Sequence, residues 1–360
     1  MKIKASRTIL LFTIISACHG LSTSTPAGSS PLQPLQASFQ ERPYKSTVIL
    51  DLPARFMWGW GPKVSGFCGS ASIQTTALYY GNWISEGLVR ASVGNKEILP
   101  GFNMEKAMSI LKMTYESWPW KTKRMPQHMA YWVWCKKALK AGIPVIGTVY
   151  EKAQGKDEDY DHIVPFIGYS SDHETYYADD DIIYYNDLYY SHTLKAKMGD
   201  FVQTRAQCTS DSARNLEWCL QSNVNYGAKV LGFDGIAETL PARLDVGRVD
   251  EPDWSVEDGK GEKPVLMKGT LEISGLAKGD TFTVYRFSGK AGPGMTSIDV
   301  RNLPSSGFAA AGSHDFKYQL TARGKTVTFR DPNGFMSDTA QFYRVIKDSS
   351  MGEESIAIDA

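Results

Sequence analysis

"SGFCGSASIQTTALYYGNW" (Ser65–Trp83) decides how the rest of the chain is read. Gly69 follows Cys68 directly, small and apolar residues run on to Leu78, and Gly81 interrupts. The spacing predicts a helix over about residues 69–80, closed at Gly81, with Cys68 at its mouth. Two readings of that cysteine are open. Unpaired cysteines are among the most buried residues and pack as small hydrophobes. At a helix N-terminus, however, the positive end of the macrodipole favours the thiolate, and a thiolate is a nucleophile.

The residues downstream bear on the choice. "LKAGIPVIGTVYE" (Leu139–Glu151) reads as the end of a helix at Gly142 and a short β-rich run. That helix, "PQHMAYWVWCKKALKAG", begins near Pro126 and carries Cys135 among aromatics at helical spacing, as a buried and inert thiol. "NMEKAMSILKM" (Asn103–Met113) is a further helix with Asn103 as its cap. "HIVPFIGYS" (His162–Ser170) and "DIIYYNDLY" (Asp181–Tyr189) are two strands joined by a turn-like segment. Paired through that turn, they carry His162, Asn186 and Asp187 to one end of a sheet. Attack on a carbonyl by a thiol needs a base to take and return the proton and a third group to fix the imidazole tautomer. Cys68, His162 and Asp187 supply these types in that order, with Asn186 the alternative to Asp187. Against this stand ordinary roles: a histidine satisfied at a strand start, and an Asn-Asp pair that is common turn chemistry.

Together these residues resemble a known family. "FCGSASIQTTALYYG" is similar to the nucleophile helix of papain-superfamily cysteine peptidases, and its run into "LYYG" looks closest to the bacteriocin-leader (double-glycine) peptidase-like branch. "LKAGIPVIGTVY" and "DHIVPFIGYS…IIYYNDLYY" resemble that branch's helix-to-strand step, histidine strand and Asn-Asp strand, over about residues 55–190. The resemblance implies an α+β, papain-like domain in which an N-terminal nucleophile helix packs on an antiparallel sheet. It implies amide hydrolysis by Cys68 as nucleophile, His162 as base and acid, and Asp187 or Asn186 as orienter, with no cofactor and a peptide or protein as substrate. One feature departs from the branch. Where it places an oxyanion-binding glutamine shortly before the cysteine, this chain has Pro62, so the donors fall to Lys63, the Trp60 indole and the Gly69 N–H. Removing one such donor costs roughly a hundredfold in turnover in hydrolases. The gap therefore admits a rival reading, a catalytically decayed binding protein on the same fold.

The N-terminus suggests export. Lys2, Lys4 and Arg7 precede the apolar "TILLFTIISA" and a small-residue exit, so residues 1–20 read as a signal peptide. "ISAC" also fits a lipoprotein signal, with lipidation at Cys18 as the one route to a membrane. Residues 21–45 are a Ser/Thr/Pro-rich flexible segment. In an oxidising compartment cysteines pair, and Cys208 and Cys219, bracketing "CTSDSARNLEWC", are expected to form a disulfide.

The peptidase-like domain is placed at 46–245, a polar linker at 246–262, and a β-sandwich at 263–348, where short strands alternate with "AKGD", "ARGK" and "DPNG" turns. Residues 349–360 form a disordered tail. The sandwich carries no catalytic cluster, which keeps adhesion at a surface open as a third reading. Lys+Arg and Asp+Glu balance at 39 each, so no net basic field attracts nucleic acid. The acidic groups Asp157–Asp161 and Asp179–Asp181 lack EF-hand spacing, and no histidine pair has zinc-ligand spacing, so no metal site is expected.

Overall fold

The computed structural model describes residues 43–55, 57, 66–151, 160, 162–188, 192–200, 218–235, 239–248, 265–290, 299–300 and 314–348. The order is β1 (Ser46–Ile49), α1 (Cys68–Tyr79), β2 (Asn82–Ile84), α2 (Glu86–Ala91), α3 (Met104–Ile110), β3 (Met113–Ser117), α4 (His128–Lys140), β4 (Val145–Glu151), β5 (His162–Ser171), β6 (Ile182–Asp187), β7 (His192–Lys197), β8 (Trp218–Cys219) and β9 (Gly227–Phe233). Then come β10 (Ala242–Arg248), β11 (Leu266–Ile273), β12 (Thr281–Lys290), β13 (Asp299–Val300), β14 (Phe316–Thr321), β15 (Val327–Arg330), β16 (Phe335–Met336) and β17 (Ala340–Lys347). The chain is an α+β protein whose strand pairs are all antiparallel among the described residues.

The first sheet runs β3-β9-β4-β5-β6-β7, with β1 also on β5 and β8 on β4. Its central strand, β5, is buried along its whole length, so it reads as a continuous apolar run and not as an alternating one. The helix behind Cys68 begins at the cysteine itself. Every residue of α1 from Cys68 to Leu78 is buried. A helix enclosed on all sides must keep its side chains small, and Gly, Ala, Ser and Thr supply seven of those eleven positions. One of its buried hydroxyls finds local acceptors, Thr76 Oγ1 donating to the carbonyls of Ser72 and Ile73. Both α1 and α4 end ahead of glycines at positive φ, Gly81 and Gly142.

Two expectations are revised. The helix read over 103–113 ends at Ile110, and Lys112, at φ 64°, turns the chain into β3. Asn103 sits at the N-cap position without capping. Its Oδ1 accepts from Leu99 N and its Nδ2 donates to Glu97 O, which ties down the preceding loop.

The C-terminal strands form two sheets, β10-β11-β15 with β16 on β11, and β13-β12-β17-β2 with β14 on β12. Val246, Met267, Leu271 and Ile273 of one meet Phe282, Val284 and Val345 of the other in a common cluster. Two strands come from the region read as the first domain. β2 pairs with β17, Trp83 opposite Gln341, and β10 pairs with β11 in full register. The boundary drawn at 245–246 therefore falls inside β10. Polar composition marked it, but Leu244 and Val246 point inward and are buried. Leu78 and Trp83 complete the core of the sandwich, while Phe287 and Phe342 belong to the core of the first sheet.

Candidate active site

Cys68 is buried and unbridged at the first position of α1. The N-cap residue, Phe67, offers no side-chain acceptor, in contrast to α2, where Ser85 Oγ accepts from Leu88 N at 3.1 Å. The first amides of a helix have no carbonyl partner within it, so the mouth of α1 offers positive N–H groups beside the thiol. Gly69 has a steric reason as well. A Cβ there would stand 2.3 Å from the backbone oxygen of Ile98. Only glycine lets the loop after α2 lie against the first turn of α1.

The first turn also meets β5. Ser72, one turn beyond Cys68, donates its hydroxyl to the carbonyl of Ile163 at 3.3 Å. This sets the start of α1 against the start of the strand that begins with His162. His162 is fully buried, and desolvation pushes its imidazole down to about 3, so the ring is neutral at pH 7.

Register sorts the two orienter candidates. In β5 and β6, Phe166 stands opposite Tyr185, and side chains on one face recur every second residue. His162, Val164 and Phe166 therefore share a face with Tyr185 and Asp187. The β5–β6 register shifts between Phe166 and Gly168, and Phe166–Tyr185 is its last pair toward the end that carries His162 and Asp187. Asn186 lies on the other face. Its Nδ2 donates to Leu52 O at 3.2 Å and its Oδ1 accepts from Thr193 Oγ1 at 3.0 Å. Asn186 thus fastens Leu52 and β7 to β6, and Asp187 lies on the face of β6 opposite to Asn186, with Tyr185.

Two residues passed over in the sequence stand near this arrangement. His192, on β7, is directly opposite Asp187. Arg90, in the last turn of α2, lays its guanidinium 4.3 Å from the centre of the Phe67 ring, beside Cys68. His192 carried a visible signal, since it follows Asp187 by a strand-turn distance. Arg90 carried none, because nothing local links α2 to the cysteine.

Trp60, Pro62 and Lys63 lie outside the described residues, as do Cys18, Cys208 and Asp157–Asp159 with Asp161. Cys219 is buried at the end of β8. Cys135 is buried and free, its thiol pushed far up by burial. Of the second acidic group, Asp181 is committed to the protein: Lys136 Nζ donates to its Oδ2 at 2.6 Å, both side chains fully buried. Among the described residues no three His, Cys, Asp or Glu side chains gather as a metal site, and no helix is long and apolar enough to cross a membrane. Compared with known proteins, the chain matches no family model and no curated sequence.

Proposed function

We propose that the chain is an exported thiol hydrolase of papain-like architecture that cleaves amide bonds in peptides or proteins through Cys68, His162 and Asp187. The observation that carries the reading is the Ser72–Ile163 hydrogen bond, which holds the mouth of the nucleophile helix against the histidine strand. The shared face of His162 and Asp187 supports it. In the reaction, Cys68 Sγ passes its proton to His162 and attacks the carbonyl carbon. The oxyanion is held by the first-turn amides of α1, Gly69 N–H among them, with Lys63 and Trp60 assigned as further donors. The C–N bond breaks as His162 returns the proton to the leaving amine, and a thioester remains. Water, giving a proton to His162, then releases the acid and restores the thiol. Asp187 keeps the imidazole in one tautomer throughout. The residue 1–20 leader and the Cys208–Cys219 disulfide belong to the same reading.

A second reading, a decayed peptidase that binds without cleaving, rests on enclosure: Cys68 is 6% exposed and His162 0%. One experiment separates them. The full chain is treated with iodoacetamide across pH 5–9, and modification of Cys68 and Cys135 is followed by peptide mass spectrometry. The hydrolase reading expects Cys68 to react at pH 6 far faster than an ordinary thiol of pKa near 8.5. It also expects Cys68→Ala to abolish turnover of fluorogenic peptides. A Cys68 as slow as Cys135 at every pH, with no turnover to lose, overturns it in favour of the binding protein.

A further inference from the structure

Resting on the hydrolase reading, we infer that Arg90 is a positioning residue for the reaction: its guanidinium, held against the turn that leads into α1, supplies a fixed positive charge that favours the Cys68 thiolate. The helix mouth alone contributes only partial charge, so a full cation beside the thiol eases the loss of its proton. The geometry provides one. Arg90 stacks on Phe67, the residue before Cys68, at 4.3 Å, and this fixes the guanidinium beside the first turn. Ser85 caps α2, and Ser92 Oγ donates to Val89 O, so the short helix that carries Arg90 is tied at both ends.

The surrounding charges complete the arrangement. Glu97 lies against the same turn, where a Cβ on Gly66 would meet its carboxyl group at 2.5 Å. Glu86 is buried on the same helix as Arg90. The Arg90 guanidinium feels Glu97, the Cys68 thiolate and Glu86, in that order, each favouring its charged form against the cost of burial. Glu86 in turn attracts Arg55, whose Nη1 donates to Val246 O on β10. The charged groups around Arg90 are therefore Glu97, Cys68 and Glu86, while His162 begins β5, the strand against which the first turn of α1 is set. Arg90 draws the thiol's pKa down; the two carboxylates hold Arg90 in place and oppose it in part.

Opposite signs follow for opposite charges, and packing alone does not produce them. The alkylation midpoint of Cys68 in the full chain is measured with iodoacetamide from pH 4 to 10 for wild type, Arg90→Ala, Arg90→Lys and Glu97→Gln. Protection of Cys135 in each variant shows that the fold is intact. Arg90→Ala is expected to raise the midpoint by about one unit, close to tenfold slower labelling at pH 5–6. Arg90→Lys retains most of the wild-type midpoint, and Glu97→Gln lowers it. A low wild-type midpoint unmoved by Arg90→Ala, or moved the same way by Arg90→Ala and Glu97→Gln, overturns the role of Arg90 while leaving the hydrolase standing. An ordinary wild-type midpoint overturns the hydrolase reading itself.

Discussion

Arg344 of β17 donates its Nη1–H to the Oδ1 of Asn82 on β2 at 2.7 Å, and both side chains are buried. The same guanidinium reaches the carbonyls of Tyr343 and Asp234. Burial pushes its pKa down to about 9, so it stays charged at neutral pH. A short strand that follows α1 is in this way fixed to the last strand of the sandwich.

Asn82→Ala removes one acceptor from a buried cation and is expected to destabilise the protein by about 1.5–3 kcal/mol. The measure is the urea midpoint at constant m-value. Deleting residues 263–360 exposes Leu78 and Trp83 and leaves β2 and β10 without partners. That fragment is expected to be aggregated or unfolded by circular dichroism. A soluble, cooperatively melting 1–262 fragment would show the two parts to be separable after all.

This joint also marks where the sequence stopped being informative. α1, α4, β4, β5 and β6 were legible because each is announced locally, by helical spacing before a glycine or by a dense apolar run. β2 is three residues long, and its partner lies at the other end of the chain, so no local pattern assigns it. The same limit applied to the site. Cys68, His162, Asn186 and Asp187 were visible as residue types in order, but the partners that occupy Asn186, Leu52 and Thr193, are set by tertiary packing that no local pattern announces. Asp181 looked like part of a solvated acidic run. It is the buried partner of Lys136, whose spacing from it is set by tertiary packing.

Gly69→Ala tests the closeness of α1 to the loop after α2. The added methyl meets the Ile98 carbonyl, a backbone atom that cannot swing aside. Overpacking of this kind costs roughly 1–3 kcal/mol. Because the clash lies one residue from Cys68, alkylation of that thiol is expected to change along with the melting temperature. Gly87→Ala, where the new methyl meets nothing within 4 Å, serves as the matched control with neither effect.

Lys136 and Asp181 pin α4 to the far end of the β5–β6 hairpin that carries His162 and Asp187. Besides Asp181, the Lys136 ammonium donates to Ser171 Oγ and to the carbonyls of His173 and Tyr176. Lys136→Met strands a carboxylate in a dry site and is expected to cost about 3–5 kcal/mol. Adding Asp181→Asn removes the stranded charge and recovers a large part of that loss. A double-mutant cycle by urea denaturation reads the coupling directly, and strictly additive single losses would show the pair to be energetically idle.

His162 ties stability to pH in a way that bears on the chemistry. An imidazole in the unfolded chain titrates near 6.5, whereas burial holds the folded ring at about 3. Between those values the unfolded chain binds a proton that the folded chain does not. Stability from this residue is therefore complete above pH 6.5 and is lost progressively as the pH falls toward 3, with a slope of up to about 1.4 kcal/mol per unit. The interval from pH 6.5 down to about 5 lies between the two values for this ring, and comparison with a His162 variant isolates its contribution. Urea midpoints of wild type are expected to fall across it, and His162→Gln is expected to flatten the fall. Parallel curves for the two proteins would mean that the folded ring already holds a proton at rest, as it does when paired with a thiolate. The resting site would then be a thiolate–imidazolium pair, with the proton for a leaving amine already on the ring before substrate binds.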